Sequence, residues 1–100
     1  MSVDLSGKGI RTTAIHAGEH HDTGSASSAP DLVMSSTFRV EQELSFSANN
    51  LEGDAPYVYT RWANPTNDQL EEKLAALERT EACIAFASGM AATTGVLLGR

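Results

Sequence analysis

The distribution of apolar and polar positions separates a loop-like first part from a patterned second part. Up to about residue 37 the chain is rich in Gly, Ser, Thr and Ala with neither a helical nor an alternating period, and Gly24 to Pro30 reads as extended or loop-like. An arm rather than a core is expected there. The spacing of Val40, Leu44 and Ser47 around Glu41, Gln42 and Glu43 predicts a short helix from Val40 to about Asn50, and Gly53-Asp54-Ala55-Pro56 punctuates the chain after it. Leu70, Leu74 and Leu77 then recur at i, i+4 and i+7 behind Asn64, a good helix cap, and Pro65, which suits a first helical position. A helix over about 65 to 79 follows, its leucine stripe buried and Glu71, Glu72, Lys73 and Glu78 on its wet side. Cys83 to Ala87 is an apolar run of strand length, Ser88-Gly89 a sharp turn, and Met90 to Leu98 a second helix.

An apolar strand of this kind belongs in a sheet covered on both faces, with neighbouring strands joined by crossover helices. One strand-helix unit cannot bury its own faces, so the pattern predicts an α/β fold continued beyond Arg100. Composition narrows the field. Seven Lys+Arg, spread singly from Lys8 to Arg100 against 13 acidic residues for a net charge of −6, form no basic stripe that could track nucleic acid. Apolar stretches are broken by Gly, Ser or Thr before reaching membrane-spanning length, and the N-terminus lacks the pattern of a secretory signal, which together predict a cytoplasmic protein without membrane contact. The single Cys83 reads as a small buried hydrophobe.

Candidate chemistry lies in two places. A strand ending in Ser88-Gly89 and opening a helix leaves the N–H groups of Gly89, Met90 and Ala91 at a positive dipole end, suited to an anion such as phosphate. A purely structural turn has about even odds at such a junction. In an extended segment Tyr57, Tyr59 and Arg61 fall on one face, where the guanidinium fork and a phenol hydroxyl match phosphate or carboxylate. Half-buried tyrosines with an Arg61 that pairs with a surface carboxylate is the plainer reading of those residues, favoured about two to one on composition alone. His16 and His20, with His21, Glu19 and Asp22 nearby, read as solvated imidazoles on a polar loop and not as a metal site. Glu71, Glu72, Glu78 and Glu81 read as a solvated helix face without acid/base function.

Taken in order, Ile15-His16-Ala17-Gly18, Ser35-Ser36-Thr37-Phe38, Tyr59-Thr60-Arg61-Trp62-Ala63-Asn64-Pro65-Thr66, Leu77-Glu78 and Ser88-Gly89-Met90-Ala91-Ala92 resemble the N-terminal quarter of the Cys/Met-metabolism pyridoxal-phosphate family. That family includes cystathionine γ-synthase, cystathionine lyases, methionine γ-lyase and O-acylhomoserine sulfhydrylases. The resemblance implies pyridoxal 5′-phosphate as cofactor, its phosphate held by Ser88, Gly89 and Met90 of one subunit and reached by Tyr59 and Arg61 of a neighbour. It implies an aspartate aminotransferase-like α/β fold, with residues 1–63 an arm packed on a neighbouring subunit and 64–100 the incomplete start of the cofactor domain, in a tetramer built as a dimer of dimers. It implies γ- or β-elimination or replacement on sulfur amino acids or activated homoserine esters. None of the family's catalytic groups, the cofactor-carrying lysine included, falls within this chain, which alone is expected to be inactive. The reading from another class is a non-catalytic fragment that docks on a full-length partner. Where many members carry a Pro-Pro pair ahead of Ser-Thr-Phe, this chain has Ala29-Pro30-Asp31, a departure that touches the choice of substrate and not the phosphate motifs.

Overall fold

A computed structural model describes residues 4–20, 27–40 and 56–99. The helix predicted from Val40 to Asn50 and the Gly53-to-Pro56 punctuation lie, apart from Val40 and Pro56, outside the described residues. Three helices are described: α1 (Ile10–His16), α2 (Pro65–Glu78) and α3 (Gly89–Leu98).

Helix α2 starts where its cap dictates. Asn64 holds an extended backbone and its side chain accepts the N–H of Thr66, while Pro65 at the first helical position forfeits an N–H that the helix would have left unpaired. The helix ends at Arg79, a left-handed residue at φ 56°, ψ 41°, whose N–H and that of Thr80 both return to the Ala75 carbonyl.

Helix α1 lies in the stretch read as a loop-like arm, where the sequence shows no sustained helical period and only short helices are expected. Its seven residues carry no side-chain cap, and its support comes from elsewhere in the chain. Lys73 Nζ donates to the Ile15 carbonyl at 2.8 Å, satisfying an end carbonyl of α1 from the middle of α2. Gly18, at φ +74°, lets the following turn press against α2, because a Cβ there would collide with the Gln69 carbonyl oxygen. Next to it Ala17 is 3 % exposed and Glu19 7 %.

No strand occurs among the described residues, which corrects the strand expected over Cys83–Ala87. A strand is defined by pairing, and the described residues supply no ladder partner for this segment. It is instead held by the Glu71 carboxylate, which accepts the Ala85 N–H at 2.8 Å, and by the Phe86 ring, which packs against α3 where Gly95 leaves room. Glu71 is thus not merely solvated. The leucine stripe of α2 is also less covered than its period predicts, with Leu70 49 % and Leu74 38 % exposed, because α1 is the one described helix packed on α2. Cys83 is half-buried. Among the described residues no helix is long and apolar enough to cross a membrane.

Candidate functional site

The first site element is assembled by pairing of two distant segments. Phe38 N–H donates to the Val58 carbonyl at 3.1 Å and Thr60 N–H to the Ser36 carbonyl at 2.9 Å, forming an antiparallel bridge that centres on Thr37 and Tyr59. Immediately after Tyr59 the chain turns, with the N–H groups of Trp62 and Ala63 both donating to the Tyr59 carbonyl. Arg61 therefore sits in a turn, not in the extended run that would put it on one face with Tyr57 and Tyr59. The turn still brings Tyr59 and Arg61 together. The guanidinium carbon lies 5.3 Å from the Tyr59 ring centre, and Nη2 donates to the phenol oxygen at 3.4 Å. Trp62 meets the same ring edge-on at 6.4 Å.

Tyr57 does not join them. Its ring packs on Phe38 at 5.4 Å and its hydroxyl donates to Asp68 Oδ2 at 2.6 Å. Burial, and then the bond to Asp68, pushes the phenol up to about 12. Arg61 is exposed, and among the described residues no carboxylate pairs with it, so these residues supply no partner for the surface salt bridge of the plainer reading.

The second element is the entry to α3. Ser88 is its cap: the hydroxyl oxygen accepts the Ala91 N–H at 3.1 Å, and the Ser88 carbonyl accepts from Ala92. The anion site expected from three free N–H groups is thereby reduced to two, since the serine's own side chain takes Ala91. No acceptor meets the N–H of Gly89 or Met90 among the described residues. A Cβ placed on Gly89 would meet nothing within 4 Å, and its φ is not positive, so neither backbone strain nor local crowding requires a glycine there. A ligand brought against the backbone would require one.

These two elements are separate among the described residues, where no hydrogen bond, ion pair or ring contact joins Tyr59 or Arg61 to Ser88, Gly89 or Met90. Of the histidines expected to be solvated, His16 and His20 are paired, and His21 lies outside the described residues. His16 Nδ1 meets Glu19 Oε2 at 2.8 Å and His20 Nε2 meets Glu72 Oε2 at 2.9 Å, which fastens the turn after α1 to α2. No group of three His, Cys, Asp or Glu that could hold a metal occurs among the described residues. Sequence reasoning missed one buried polar residue beside the site, Asn64, 4 % exposed, because capping already explains an Asn at that position.

The chain belongs to the family of Cys/Met metabolism PLP-dependent enzymes, whose model matches residues 11–99. It is 38 % identical over 95 residues to an L-methionine gamma-lyase of Fusobacterium nucleatum, covering 95 % of this chain and 24 % of that enzyme. It is 40 % identical over 97 residues to the cystathionine gamma-lyase of Saccharomyces cerevisiae, covering 97 % of this chain and 22 % of that enzyme. With an O-acetyl-L-homoserine sulfhydrylase of Corynebacterium glutamicum it shares 33 % identity over 90 residues, 90 % of this chain and 21 % of the relative. The chain thus spans about a quarter of the length of the curated relatives it matches. The family implies an aspartate aminotransferase-like fold and dependence on pyridoxal 5′-phosphate.

Proposed function

We propose that the chain is the N-terminal part of a pyridoxal-phosphate enzyme of the trans-sulfuration type, acting by γ- or β-elimination or replacement on sulfur amino acids or activated homoserine esters. Residues 1–63 serve as an arm on a neighbouring subunit of a homotetramer, and residues 64–100 open the cofactor domain. The observation that carries this reading is the entry to α3, where two N–H groups without an acceptor among the described residues and an unobstructed glycine coincide with a match to a family that binds a phosphorylated cofactor. When bound, pyridoxal 5′-phosphate supplies the electron sink that stabilises negative charge on an amino-acid substrate.

The residues present fit the phosphate end of that cofactor. The N–H groups of Gly89 and Met90 would donate to its oxygens at the positive end of the α3 dipole. The Ser88 hydroxyl, used as an acceptor by Ala91, keeps its proton for the same anion. Tyr59 likewise accepts from Arg61 and retains a donor, and among the described residues no carboxylate takes the Arg61 fork. These groups bind and orient the cofactor; proton transfer falls to residues outside this chain.

The sharing of the site between subunits is tested by complementation in the full-length protein. Arg61→Ala and a variant lacking the cofactor-carrying lysine are each expected to be impaired, and mixed dimers to regain activity from the one site that combines an intact Arg61 with an intact lysine. Verified subunit exchange without any gain over the separate variants refutes the shared site.

A further inference from the structure

Capping α2 needs only half of the Asn64 side chain. Oδ1 accepts the Thr66 N–H at 2.9 Å, a task that aspartate or serine performs as well. The amide nitrogen is occupied with something else: it donates to the Val33 carbonyl at 3.2 Å and to the Thr60 hydroxyl at 3.1 Å. Thr60 passes its own proton to the Ser35 carbonyl, and Thr66 Oγ1 accepts the Val33 N–H at 2.9 Å. Three pieces of chain, the extended residues 33–38, the turn after Tyr59 and the first turn of α2, thus meet on one planar amide. Every buried side-chain polar atom among the described residues has a partner, so this network is closed.

Thr60 stands between Tyr59 and Arg61. Its side chain is held inward by Asn64, which fixes the backbone from which Arg61 returns over the Tyr59 ring. Arg61 is exposed and carries the large rotamer freedom of a long side chain, so the direction of its fork depends on where that backbone points. We infer that Asn64 is a positioning residue for the Tyr59–Arg61 pair, setting through the Thr60 hydroxyl the direction in which the pair presents its donors to a phosphate. The inference rests on the cofactor reading given above.

Asn64→Asp separates this role from capping, because it keeps the acceptor and the size while removing both donors. Thr60→Val breaks the same relay without touching the cap. Affinities of the full-length apo-protein are measured for pyridoxal 5′-phosphate and for pyridoxal, which lacks the phosphate. Each variant is expected to weaken the phosphorylated ligand about tenfold, the loss of roughly one oriented charge-assisted hydrogen bond, and to leave pyridoxal unchanged. In an Arg61→Ala background neither should cause further loss. Equal losses for both ligands, or full additivity with Arg61→Ala, overturn the inference in favour of a purely structural role. So does an unchanged phosphate affinity in Thr60→Val, which decides the matter if Asn64→Asp fails to fold. Arg61→Ala binding the phosphorylated ligand as tightly as the parent protein instead removes the cofactor reading at this residue, a result distinct from either.

Discussion

The turn after Tyr59 and the entry to α3 are opposite solutions to placing a polar group. At the turn, residues twenty or more apart in sequence are tied by hydrogen bonds: Val33 to Asn64 and Thr66, Ser35 and Ser36 to Thr60, Phe38 to Val58. Around α3 the bonds are local, Ser88 to Ala91 and Ala92 and threonine hydroxyls to carbonyls one turn back, while Ile84, Met90, Val96 and Leu98 are 72, 75, 70 and 81 % exposed. The difference shows where each region draws its geometry. The turn takes its shape from contacts made within this chain, whereas α3 is shaped by its cap and presents an apolar surface suited to burial against the sheet of the family fold.

The largest effect expected concerns α3. Because a Cβ at Gly89 meets nothing within 4 Å and its φ suits any residue, Gly89→Val should fold normally, yet its side chain would stand in the proposed phosphate site. Cofactor affinity in the full-length protein is expected to fall about a hundredfold, about 2.7 kcal/mol, with the unfolding midpoint unchanged. Undiminished binding would show that the glycine is a structural accident.

On the other side of the comparison, Gly18→Ala should do the reverse, costing stability without touching the phosphate groups. Both the positive φ and the Gln69 carbonyl oppose a Cβ, so the turn after α1 must shift away from α2. A loss of about 2 kcal/mol is expected, read as a lower unfolding midpoint and faster hydrogen exchange of the α1 amides. Unaltered exchange would mean that α1 is not held through this contact.

That pair of glycines marks what a sequence discloses. Asn64-Pro65 and Ser88-Gly89 announce helices α2 and α3 because capping is a matter of neighbouring residues. The α1 helix has no such signal, since its supporting donor, Lys73, lies 58 residues away from Ile15. The run Cys83–Ala87 has the composition of a strand, but a ladder needs a partner that local pattern does not supply. Tyr59 and Arg61 were legible as a pair of phosphate-suited groups, and the turn that joins them was not, because it depends on a bridge to Thr37. The second role of Asn64 was hidden for the same reason: its acceptor at Val33 lies 31 residues earlier.

A smaller effect probes the α2 side of the turn region through pH. The Tyr57 phenol, ordinarily near 10, is pushed up to about 12 by burial and by its bond to Asp68. The folded state therefore holds the proton more tightly than the unfolded chain does. The stabilisation is fully present below about pH 10 and is lost as pH rises through about 12. Tyr57→Phe should cost about 1 kcal/mol at neutral pH and flatten the unfolding profile across that window. An identical profile in parent and variant would show that the bond contributes nothing to stability.

The smallest effect concerns a left-handed position that lacks a glycine. Where Gly18 meets its positive φ with the residue suited to it, Arg79 ends α2 at φ 56° with a side chain in place. In this conformation Cβ crowds the following carbonyl oxygen, at a cost of about 1 kcal/mol. The two N–H groups that return to the Ala75 carbonyl fix the conformation regardless of the side chain. Arg79→Gly removes the crowding and gives back part of the gain as freedom of the unfolded chain, leaving a net stabilisation of about 0.5 kcal/mol. Because neither the turn after Tyr59 nor the entry to α3 is altered, cofactor affinity should not change. A raised unfolding midpoint with unchanged affinity is the expected result. A lowered midpoint would mean that the Arg79 side chain contributes more than its backbone strain costs.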